Sequence, residues 1–306
     1  SSPFFIPFPC QFHVMVVASI DWKALFEACP KKGFQSAVDG VVNALDRQIR
    51  LGSEKFDARS LAKGIETSLQ SKDPQQVLVG CIALLAVLEA ALPCEVLTTL
   101  WQDTLLDSLS CALACSTPII VATAIRSICS LTAVFWACPT NGRTVTQWQR
   151  RKVVQLLRSV ADAHPRSFLV QEALAQGCCM IVADDSSLPP GCAGAMWSII
   201  WPLALHRQDE IARAAVVALC CLVGLPVEGA SVGGVTNCGA RCSLDMVSVL
   251  SRAREDFSQS FRLFDSALVG DAEKDPEEID VHCARLLDLI RSLVVSGQCT
   301  SNEVAY

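Results

Sequence analysis

The chain has 306 residues, a formal net charge of −6 and a pI near 5.3. Hydrophobic residues make up 51% of it but aromatic ones only 6%, so the apolar weight sits in Ala, Leu, Val, Ile and Cys. The mild acidity argues against a dedicated nucleic-acid binder, which needs a basic excess, and the apolar content argues against a disordered chain.

The first stretch, "SSPFFIPFPCQFHVM", lacks a basic region and a continuous apolar segment, so it does not read as a signal peptide. Ser, Pro and Phe share pyrimidine-rich codons, and Gln11 fits CAG, the pattern of a translated intron end. The expectation for residues 1–14 is therefore a disordered tail or gene-model read-through, with Met15 as the native start.

Helix follows helix from there. Apolar residues recur at helical spacing over 21–30, 33–52, 57–71, 73–93, 94–115, 117–139, 144–165, 166–185, 193–208 and 209–226. Several starts carry Asp or Thr, twice beside Pro (Asp73-Pro74, Thr117-Pro118), and stops such as Gly52 and Pro139 break the pattern. No stretch alternates with period two for long enough to make a strand. Residues 226–242 are glycine-rich and aperiodic, which predicts a loop. Two longer, more charged helices are expected within 243–297, and 298–306 reads as a frayed tail.

No apolar run reaches a membrane span. Mean hydropathy is high at +0.38. The longest uncharged run, 186–206, opens with Ser, Pro and Gly and contains Pro202, and its apolar part is shorter than the roughly 20 residues a span needs. The 17 cysteines, an odd number, lie mostly in apolar helical patterns, among them Cys81, Cys111, Cys115, Cys129, Cys178, Cys179, Cys220 and Cys221. Disulfide scaffolds are short and poor in core, so these read as reduced thiols serving as small hydrophobes in the cytoplasm or nucleus.

A stripe recurs in four of the helices. From Val77, Val121, Val170 and Ile211, the third position is Gly or Ala (Gly80, Ala124, Ala173, Ala214). The fourth, seventh and eighth positions are small or aliphatic, as in Ala215, Ala218 and Leu219. A weaker copy starts at Val38. These positions share one helix face, and small residues there let one helix pair approach the next. The anchors recur at the spacing of paired-helix repeats. The segment "PLALHRQDEIARAAVVALCCL" resembles the second half of a HEAT repeat through Pro202, Asp209, Ile211, Ala214, Ala215, Ala218 and Leu219. Arg213 falls one position later than the family arginine, and the turn proline is missing.

The resemblance implies an all-α, right-handed α-solenoid of antiparallel helix pairs, HEAT/armadillo-like over residues 15–225, with two longer C-terminal helices. It implies a scaffold or adaptor that binds other proteins, as a subunit or fragment of a larger assembly. No cofactor, nucleic acid or transmembrane segment is expected. Two other readings stay open: a compact helical bundle that binds an apolar ligand or a membrane surface, and a thiol- or metal-dependent helical protein.

Candidate sites are few. Cys238 and Cys242, with His282 and Cys283, could be assembled into a zinc site, but adjacent residues on a helix diverge by about 100° and suit joint coordination poorly. The four histidines have no Ser or Cys motif around them, and "VGGVTNCG" lacks the Lys-Ser/Thr of a phosphate-binding loop, so no enzyme is expected. The one strong basic cluster is Arg143, Arg150, Arg151, Lys152 and Arg158, with Trp148 as a stacking face and Arg166 beyond it. It suits phosphates or an acidic peptide, and the plain alternative is a solvated outer face.

Overall fold

The computed structural model describes residues 21–29, 34–51, 58–89, 103–137, 147–183, 188, 191–222, 251, 255, 256, 258, 284, 287 and 291. Among them are ten helices and no strand, so the chain is all-α. The helices are α1 (Trp22–Ala28), α2 (Phe34–Leu51), α3 (Ala58–Leu69), α4 (Pro74–Glu89), α5 (Asp103–Leu113), α6 (Pro118–Ala137), α7 (Gln147–Ala163), α8 (Phe168–Ala183), α9 (Cys192–Ala204) and α10 (Asp209–Leu222). None is long and apolar enough to cross a membrane. The expected tail at 1–14, the loop at 226–242, the end at 298–306 and most of the helical pair at 243–297 lie outside the described residues.

The chain divides into two compact units, Ser1–Arg143 and Thr144–Tyr306. In the first, consecutive helices pair as α1 with α2, α3 with α4, and α5 with α6. The pairs then pack on one another: α2 on α4, α4 on α6, and α3 on α5. The second unit repeats the scheme. There α7 pairs with α8 and α9 with α10, while α7 packs on α9 and α8 on α10.

Four of these pairs close through four-residue turns, at 70–73, 114–117, 164–167 and 205–208. So short a turn between two packed helices makes them antiparallel. Its last residue starts the next helix. Asp73 accepts the N–H of Gln75 on Oδ1 at 3.0 Å, and Pro74 follows where a missing N–H costs nothing. At the head of α10 the Gln208 N–H donates to Nδ1 of His206 at 3.1 Å, and Asp209 and Glu210 face the positive end of the helix dipole.

Both cores are built on the small-residue stripe. Val121, Ala124, Ile125, Ile128 and Cys129 are fully buried on α6, as are Val170, Ala173, Leu174 and Cys178 on α8. On α10 Ile211, Ala215, Ala218 and Leu219 are buried while Ala214 is only half-buried, so Ala214 takes less part in the close approach than its spacing predicts. Gly80 on α4 shows what the stripe is for. A Cβ there would stand 3.0 Å from Cβ of Ser68 and 3.3 Å from the backbone N of Leu69, so α3 approaches α4 closely only because the side chain is absent.

The first unit adds polar bridges between helices. Gln75 Nε2 donates to the carbonyls of Phe26 (3.3 Å) and Cys29 (2.8 Å), closing the end of α1 from α4. Gln48 on α2 accepts the Asp21 N–H at 2.7 Å and donates to the Asp21 carbonyl at 3.1 Å. Gln70 donates to the Ser108 hydroxyl at 2.9 Å. Within the core, Ser127 Oγ on α6 reaches the Cys81 carbonyl on α4 at 3.1 Å and the Thr123 carbonyl at 2.9 Å.

Candidate binding surface on α7

Helix α7 has the sequence QWQRRKVVQLLRSVADA and splits cleanly at 100° per residue. Val153, Val154, Leu157 and Val160 are buried against α8 and α9. On the opposite side Trp148, Arg151, Gln155, Arg158, Ser159 and Asp162 are exposed, with Lys152 half-buried at the edge of that face.

The sequence groups Arg150, Arg151 and Lys152 as one basic run, and the helix separates them. Arg151, Lys152 and Arg158 share the face of Trp148. Arg150 projects to the packed side with Val153 and Leu157; it is half-buried and its Nε lies out of solvent. Arg143, Cys238 and Cys242 lie outside the described residues. Arg166 is exposed in the turn after α7.

Trp148 is 59% exposed, an unusual position for so large an apolar ring. Lys152 Nζ sits 5.0 Å from its ring centroid, a cation–π contact that holds the indole over the basic face. At the inner margin, burial pushes the Cys192 thiol up, and the Arg151 guanidinium pulls it the other way.

Sequence reasoning missed two features of the second unit. Trp197 and Trp201 stack at 4.8 Å with an interplanar angle of 18°, and the Trp201 indole N–H donates to the Asp256 carboxylate at 2.5 Å. The i, i+4 spacing of the tryptophans was there to be read; the partner 55 residues on was not. Phe168 (39% exposed) and Leu169 (40%) present apolar surface at the start of α8.

The thiols are placed as packing groups. Cys29, Cys81, Cys129, Cys178, Cys192 and Cys220 are buried. Cys111, expected in the apolar pattern, is exposed instead. Burial pushes the Cys81 and Cys178 thiols up to about 12, helped by Cys115 and Cys179 respectively, and Cys179 up to about 11. A thiol so protonated at neutral pH is a poor nucleophile and a poor metal ligand. Among the described residues no group of three His, Cys, Asp or Glu side chains is placed to hold a metal ion.

No protein-family model matches the sequence, and no curated protein matches it. Among solved structures, the chain is similar to a crystal structure described as an engineered protein, at 13% identity and a TM-score of 0.48, over 89% of this chain and 99% of that one.

Proposed function

We propose that the chain is a non-enzymatic protein-interaction scaffold or adaptor, built of HEAT/armadillo-like helix pairs and working in a reducing compartment, the cytoplasm or nucleus, within a larger assembly. One observation carries the reading: the same building step recurs inside each unit. A four-residue turn closes two pairs in each unit, and a small-residue stripe then stacks one on the next. Turns follow one another after 44 residues in the first unit (70 to 114) and 41 in the second (164 to 205), the spacing of paired-helix repeats. Stacked pairs leave one helix face outside, and such faces are what repeat proteins offer to partners.

The chemistry of the side chains supports a binding role over a catalytic one. Cys81, Cys178 and Cys179 are held as protonated thiols, and His206 spends its Nδ1 on the head of α10. Purification of the tagged chain from its own cells at physiological salt, with quantitative mass spectrometry, tests the reading. The expected result is a reproducible set of proteins in near-stoichiometric amount. A chain recovered alone after mild cross-linking would remove the scaffold role.

A further inference from the structure

We infer that the exposed face of α7 is a docking surface for an acidic helical segment of a partner protein; this rests on the scaffold reading and names the chemistry of the partner. The face carries three cations, Arg151, Lys152 and Arg158, against one carboxylate, Asp162, in a chain whose overall charge is −6. Its positive potential is therefore local and selects an oppositely charged surface of similar size. Arg151 and Arg158 are seven residues apart, about 10.5 Å along the axis. That is the spacing of two carboxylates placed seven apart on another helix. Trp148 stands one turn before Arg151 and offers an apolar platform, already oriented by Lys152, for an aliphatic side chain one turn from the first carboxylate. The strip of cations runs about two turns, from Arg151 to Arg158, and Asp162 follows one turn later. A nucleic acid, which presents phosphates continuously, would meet repulsion there, whereas a short acidic helix fits within it.

The test is fluorescence anisotropy with a labelled, helix-forming Glu/Ala peptide that carries glutamates seven apart and one leucine a turn before the first. The full-length chain should bind it weakly, with affinity falling as salt rises. The matching Gln/Ala peptide should bind at least about tenfold more weakly. Arg151→Gln with Arg158→Gln should also lose about tenfold, as should Trp148→Ala, with the circular dichroism spectrum unchanged in each. Equal affinity of these variants and the native chain overturns the proposal, and so does tighter binding of an oligothymidylate of equal charge. If the peptide fails to bind while the cellular purification still recovers partners, the docking face falls and the scaffold stands. If the purification recovers nothing, the scaffold falls with it.

Discussion

The two units share a plan and differ in where they place polar and apolar groups. Among the described residues, the buried polar side chains (Ser68, Ser108, Thr123, Ser127 and Thr132) all belong to the first unit. The exposed large apolar ones (Trp148, Phe168, Leu169 and Leu287) all belong to the second. In the first unit hydroxyls and amides tie helix to helix, as Ser127 does to the Cys81 carbonyl and Gln75 to the end of α1. Such bonds add little net energy but fix geometry, because a wrong register leaves a buried group unsatisfied. The second unit exposes Trp148 and Phe168 while keeping Trp201 buried.

Alkaline pH gives the largest expected effect. Cys81 in the first unit, and Cys178 and Cys179 in the second, have folded-state values raised above the ordinary 9.0. A raised thiol contributes its stability in full below about 9 and loses it as pH climbs toward the folded value. Stability should be flat near neutrality and fall between about 9 and 12, by up to about 1.4 kcal/mol per pH unit for each thiol. Urea unfolding followed across this range should show a shallower fall in Cys178→Ala/Cys179→Ala than in Cys81→Ala, since two thiols are removed rather than one. Identical slopes would break the distinction.

The next effects come from packing and polar bridges. Ala215→Leu should overpack the α8–α10 contact and cost roughly 1–3 kcal/mol by thermal or urea unfolding; an unchanged midpoint would mean that Ala215 does not face α8. Ser127→Ala should cost about 1–2 kcal/mol, because the Cys81 carbonyl loses its bridging hydroxyl in a buried site. If Ser127→Ala is neutral, the first unit does not depend on its polar bridges and the contrast between the units weakens.

Much of this architecture was legible in the sequence. Asp73-Pro74 and Thr117-Pro118 announce helix starts through local chemistry, and the stripe through Val121 and Ile211 announces a buried face through period alone. What escaped needed three dimensions. Gln75 acts 46 residues from its acceptor at Cys29, and Trp201 acts 55 residues from Asp256, so neither role has a local signature. Cys111 sits in an apolar pattern yet faces outward, because which side of α5 is covered depends on α3 and α6. The basic run of α7 is an intermediate case: its charge was plain, and projection at 100° per residue separates Arg150 from Arg151, but which side is packed is set by α8 and α9.

That separation yields the smallest prediction and the sharpest contrast on one helix. Arg151 and Arg158 are exposed, so replacing either with Ala should change stability by less than about 0.5 kcal/mol. Arg150 is half-buried on the packed side of α7, so Arg150→Ala should cost about 1 kcal/mol through lost packing. Peptide binding should order the same residues in reverse, with Arg151 and Arg158 mattering and Arg150 indifferent. A charge run read as one patch predicts equal effects of the three arginines in both assays. Denaturation and anisotropy on the same single variants therefore decide whether α7 carries one basic cluster or two faces with separate jobs.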